Sequence, residues 1–124
     1  MNIIISNSSA VPLYEQIQNQ IKSQILNGEL CSEQLLPSIR SLAKELKVSI
    51  ITTKRAYEEL EKEGYIVTVA GKGSYVCGQS TERLKEAALY EMESKLEDII
   101  LGAKNMGITE EEFVEIIKSI YREV

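Results

Sequence analysis

Five basic side chains fall between Arg40 and Tyr57: Arg40, Lys44, Lys47, Lys54 and Arg55, with Glu45 the single acid among them. The whole chain carries a net charge of −5, so a local balance of +4 marks this stretch as the place where a polyanion would be met. Guanidinium and ammonium groups at this density suit phosphate binding and do not make a hydrolase. The 124 residues include no histidine, which removes the usual general base and the usual partner of a nucleophilic serine. Cys31 and Cys77 are the only cysteines, too few for a tetrahedral zinc site unless carboxylates complete it, and they read as two reduced thiols with no shared site. The acids Glu110, Glu111, Glu112 and Glu115 read as the opening of a helix rather than a cation site. An enzyme, a cofactor and a metal centre are therefore not expected.

The elements that must position the basic residues lie in Leu36–Gly64. Ile39, Leu42, Ala43 and Leu46 step 3, 1 and 3, one apolar stripe on a short helix. Pro37 drives its predecessor out of the α region, and the Ser38 hydroxyl can cap the amides that follow. The chain breaks at Lys47-Val48-Ser49, where Ser49 offers a second N-cap, and Thr53, Ala56, Tyr57 and Leu60 then face inward until Gly64 stops the helix. Two helices joined by a tight turn make a helix-turn-helix, the arrangement that presents a helix to the groove of double-stranded DNA. Tyr65–Val69 and Ser74–Cys77 read as two short strands around an Ala70–Gly73 turn, a wing with Lys72 at its tip.

Ahead of this unit, Pro12 suits the first turn of a helix running to about Asn27. Leu13, Ile17, Ile21 and Ile25 recur every fourth residue, and Gly28 stops it. Ile3-Ile4-Ile5 reads as a short strand or an extended arm that covers an exposed face or the dimer partner. It lacks the arginines of a minor-groove arm.

The composition changes at Gly78. Residues 1–78 hold eight basic and eight acidic residues, whereas 79–124 hold six and eleven, so the net negative charge sits wholly in the C-terminal part. A helix is predicted from about Thr81 to near Asn105, with a seam of Leu89, Met92, Leu96, Ile99, Ala103 and Met106 at heptad spacing. Thr109-Glu110-Glu111-Glu112 has the Thr-x-x-Glu form of a capping box, and Phe113, Ile116, Ile117, Ile120, Tyr121 and Val124 line the helix that follows. Two such helices cannot enclose both stripes by packing only on each other, so self-association into a homodimer is expected. No apolar run approaches the roughly 20 residues that span a membrane, and a cytoplasmic location without membrane contact is expected. The expected class is mainly α with a small β wing: a winged helix-turn-helix over 1–78 and a two-helix dimerisation hairpin over 79–124.

PLYEQI at 12–17, LPSIRSLA at 36–43, VS at 48–49, AYEELEKEGYI at 56–66 and GKGSYV at 71–76 together resemble the winged-helix domain of GntR-family bacterial transcription regulators, and the short tail resembles their YtrA-type branch. The resemblance implies a sequence-specific DNA-binding regulator, a dimeric repressor on a palindromic operator. The alternative is a winged helix that docks a protein, with the acidic hairpin carrying assembly. By resemblance, Arg40 reaches the DNA backbone or a guanine, while Ser49, Thr52 and Lys54 touch phosphate or base edges. Ser38, Arg55 and the wing residues Gly71, Lys72 and Gly73 complete the candidate DNA-binding set. Ser41 stands where the family commonly has an acid, which weakens a capping box with Ser38. Ile50 stands where many members have arginine directly after the cap. Ile50 and Ile51 either pack on thymine methyl groups or one of them staples the turn against the preceding helix. No effector is named by the sequence; one would have to bind at the dimer interface or between domains.

Overall fold

Local signals mark out five helices among the residues that the computed structural model describes, 1–78 and 81–124. Helix α1 (Leu13–Leu26) begins after Pro12, whose missing amide is no loss at a helix start, and it ends at Asn27 before Gly28. Helix α2 (Ile39–Leu46) takes Ser38 as its N-cap and closes at Lys47 in the left-handed region, φ 58°. Helix α3 (Ile50–Lys62) takes Ser49 as its N-cap, and the chain leaves it through Gly64 at φ +83°, a conformation that side chains disfavour. Strands β1 (Ile66–Val69) and β2 (Gly73–Val76) pair antiparallel, with Ile66 opposite Val76 and Val69 opposite Gly73.

The core is apolar and continuous. Ile17, Ile21 and Ile25 from α1 meet Leu42 from α2, Ala56, Tyr57 and Leu60 from α3, and Ile66 and Val76 from the wing. The four-residue period on α1 turns one stripe of β-branched side chains toward α3, the packing that the sequence spacing predicts.

Two features were not legible beforehand. The connector between α1 and α2 adds a third, minimal strand to the wing. Leu35 bridges Tyr75, the Val76 amide donates to the Gln34 carbonyl at 2.8 Å, and the Leu36 amide donates to the Ser74 carbonyl at 2.8 Å. Gly73, placed in the wing turn by its sequence, is instead the first residue of β2. At φ +121° it lies against Leu35, whose Cδ1 would sit 3.3 Å from an added Cβ.

The second feature concerns Ile3–Ile5, which form an extended arm and no strand. Gln24 Nε2 donates to the Asn2 carbonyl at 2.6 Å. Gln20 accepts from the Ile4 amide at 2.9 Å and donates to the Ile4 carbonyl at 2.7 Å. Gln16 makes the same pair of bonds with Ser6, both at 2.9 Å. Four residues of helix rise about 6 Å and two of extended chain about 6.6 Å, so a glutamine on every fourth helical position keeps step with every second arm residue. The arm's backbone thus finds partners without a sheet, while Ile3 and Ile5 pack on the core.

Helices α4 (Thr81–Asn105) and α5 (Glu110–Glu123) follow. The chain divides into two compact units, Met1–Lys85 and Glu86–Val124, and the boundary falls within α4. In the second unit, Thr109 and Glu112 close the capping box in both directions. Glu112 Oε1 accepts from the Thr109 amide, and Thr109 Oγ1 accepts from the Glu112 amide, both at 3.2 Å. Helix α5 buries no residue, and α4 buries only Ala103. Ala103, expected in the open seam, is thus covered within its own unit at the corner that Ile108 and Phe113 complete. Leu96 is half-buried, and Leu89, Met92, Ile99 and Met106 stand exposed. No helix among the described residues is long and apolar enough to cross a membrane.

Candidate nucleic-acid interface

The candidate site is built on the paired helices α2 and α3. Ser38 Oγ accepts from the Ser41 amide at 3.0 Å. With serine at 41 no side chain returns the bond, so this is a single cap and not a box. Ser49 Oγ accepts from the Thr52 amide at 3.0 Å and donates to Thr52 Oγ1 at 2.7 Å. Both serines therefore serve first to order the helix starts that would approach a phosphate backbone.

A buried hydroxyl ties the two helices together. Tyr57 Oη, on α3, donates at 2.7 Å to the carbonyl of Pro37, the residue just before the α2 cap. Burial pushes the phenol well above its usual range and keeps it protonated as a donor. The sequence marked Tyr57 as inward-facing, but a bond across 20 residues leaves no local signal.

The cations divide into free and engaged groups. Arg40, Lys44, Lys47 and Lys72 are exposed, and among the described residues none of them forms an ion pair. Lys54 is exposed, with Glu58 at a loose 3.9 Å that a competing phosphate would displace at little cost. Arg55 differs, because its guanidinium lies 3.8 Å above the ring of Tyr14 on α1. The stacking fixes where the group sits, and Tyr14 was not among the residues singled out from the sequence. Lys72 occupies the turn between β1 and β2, with Gly71 before it and Gly73 after it.

The two isoleucines of the first turn of α3 are both exposed, Ile51 at 79% and Ile50 at 44%. A residue so open cannot staple the turn, so that reading fails for Ile51. Cys77 is buried and Cys31 exposed, and the two are not joined in a disulfide. Ser32, next to Cys31, donates to the Cys77 carbonyl at 3.0 Å, so their segments adjoin. Among the described residues no cluster of acids and cysteines is gathered as for a metal ion.

Residues 13–76 match the family model described as "Bacterial regulatory proteins, gntR family". The chain is 35% identical over 122 residues to the HTH-type transcriptional repressor YtrA of Bacillus subtilis (strain 168), covering 98% of this chain and 94% of that protein. A crystal structure titled as a transcriptional antiterminator from Listeria monocytogenes EGD-e is similar at a TM-score of 0.75 and 32% identity, over 98% of this chain and 90% of that one. The DNA-binding domain of AraR, solved in complex with operator ORR3, is similar at a TM-score of 0.53 and 26% identity, over 62% of this chain and 93% of that one. With its winged helix-turn-helix, and with more than half its length matched by the family model, the chain belongs to the gntR family of bacterial regulatory proteins.

Proposed function

We propose that this DNA-binding transcriptional regulator acts as a dimeric repressor on a palindromic operator. Arg40 and Lys54 approach the major groove, Lys72 meets phosphate from the wing, and the second unit supplies the dimer contact. The observation that carries the DNA contact is the capped α2–α3 pair with Arg40, Lys44 and Lys47 exposed and unpaired. Arg40 suits a guanine edge or the backbone, Lys54 and Lys72 suit phosphate, and Thr52 keeps a hydroxyl proton for either. Ser38, Ser49, Gly71 and Gly73 act through backbone geometry and capping, and Arg55 from its fixed stack on Tyr14.

The dimer rests on a separate observation. Ile99, Ile116, Ile117 and Ile120 all stand exposed in the second unit, beside an apolar cleft of about 400 Å³ lined by Ile100, Ala103, Phe113 and Val114. Apolar surface of this extent marks an interaction site. Leu89, Met92 and Leu96 extend it along α4 and Met106 just past its end, and a second copy offers a matching surface by two-fold symmetry. Two recognition helices fixed in this way address half-sites about one helical turn apart, where one helix alone makes few base contacts.

Binding to a fluorescent duplex under salt titration tests the reading. If about six phosphates are neutralised by the dimer, affinity falls roughly a thousandfold between 50 and 200 mM salt. Binding that ignores salt would instead favour a protein partner.

A further inference from the structure

The first turn of α3 is apolar where the surrounding surface is cationic. Arg40, Lys44 and Lys54 stand exposed on α2 and α3, yet the two side chains that open α3 are Ile50 and Ile51. Neither has been drawn into the core, and Ile51 is almost fully open to water at 79%. The hydroxyls of the same turn are committed. Ser49 is held by the Thr52 amide and by Thr52 Oγ1, which leaves one Thr52 proton free for hydrogen bonding. A helix that enters the major groove at this end therefore offers base edges sec-butyl groups and little polar chemistry.

In the major groove only the A·T pair carries an apolar group, the 5-methyl of thymine. We propose that Ile51, with Ile50 next to it, reads the 5-methyl of a thymine in each operator half-site. This rests on the DNA-binding function above. Charge complementarity selects the occupant, because the cations around the turn draw it to a phosphate-lined groove. There the isoleucines shed water against a methyl group.

Binding-site selection with the full chain tests this, using a random duplex library made once with deoxythymidine and once with deoxyuridine at every such position. Uracil keeps each hydrogen-bonding group of thymine and lacks only the methyl. Loss of one buried methyl contact corresponds to about a fourfold change in preference. The expected result is a motif with one favoured A·T pair per half-site, whose preference falls about fourfold in the uracil library while the rest of the motif persists. Ile51→Ala should give the same loss in the thymine library, and Arg40→Ala should alter a different position. Equal preference in both libraries would overturn the methyl reading and leave DNA binding intact. Loss confined to Ile50→Ala would overturn the assignment to Ile51. Failure to enrich a motif in either library would overturn both this inference and the sequence-specific function on which it rests.

Discussion

Tyr57→Phe removes one oxygen from the junction of α2 and α3. The side chain is 3% exposed and its hydroxyl donates to the Pro37 carbonyl at 2.7 Å, so the phenylalanine ring refills the space and the carbonyl loses its donor. A fully buried acceptor left unpaired costs about 1 to 3 kcal/mol, and for this part-buried carbonyl about 2 kcal/mol is the upper expectation. For a unit of this size, Met1–Lys85, 1 kcal/mol moves the melting temperature by roughly 4 to 8 °C, so a loss of about 2 kcal/mol lowers it by roughly 8 to 16 °C. Circular dichroism melts of both proteins at one concentration measure this, since self-association makes the midpoint concentration-dependent. The alkaline limb supplies a second reading. Burial raises the folded phenol above its ordinary value near about 10, so the unfolded chain ionises first. The stability from this group is complete below pH of about 10 and is lost as pH rises beyond it. The wild-type minus variant difference in stability should therefore shrink above that pH. A melting shift under about 2 °C, with no such pH trend, would show that the Pro37 carbonyl finds another partner and that Tyr57 does not brace the helix pair.

Arg40→Ala should weaken operator binding by roughly 1 to 3 kcal/mol per half-site if Arg40 reads a base, whereas Lys72→Ala should weaken all duplexes alike and lower the salt slope by about one per protomer, about two for the dimer; anisotropy on specific and scrambled duplexes separates the two. Leu96→Asp places a carboxylate mid-seam, at a cost of several kcal/mol if a partner helix covers it. Light scattering should then report monomer, with operator affinity falling toward the non-specific level; a variant that stays dimeric would put the contact elsewhere. Thr109→Ala removes the bond to the Glu112 amide at 3.2 Å and should cost about 1 kcal/mol of helix stability. Because α5 buries nothing in its own chain, that loss should appear as reduced helical ellipticity, more so at low protein concentration where the dimer is depleted.

The helices were legible in the sequence because what starts and stops them acts over a few residues. Ser38, Ser49 and Thr109 each accept from an amide three positions on, and Gly64 supplies the left-handed step after α3. The four-residue period of Ile17, Ile21 and Ile25 told which face of α1 is buried, since a helix allows few other solutions for that spacing. The motifs at 36–43, 56–66 and 71–76 likewise carried the family. Other features belong to the tertiary structure alone, for they join residues that sequence distance hides. Gln16, Gln20 and Gln24 look like ordinary polar positions until an extended arm runs beside them, and Leu35 pairs across 40 residues with Tyr75 through the hydrogen bonds of its neighbours Gln34 and Leu36. Arg55 counts as one more cation in the sequence, whereas in the fold it is pinned to the face of Tyr14. The first turn of α3 makes the same point. Ile50 and Ile51 have the same chemistry and adjacent numbers, and only the packing of α3 on its neighbours decides that Ile51 is left open, because exposure depends on what the rest of the chain brings to each face of a helix.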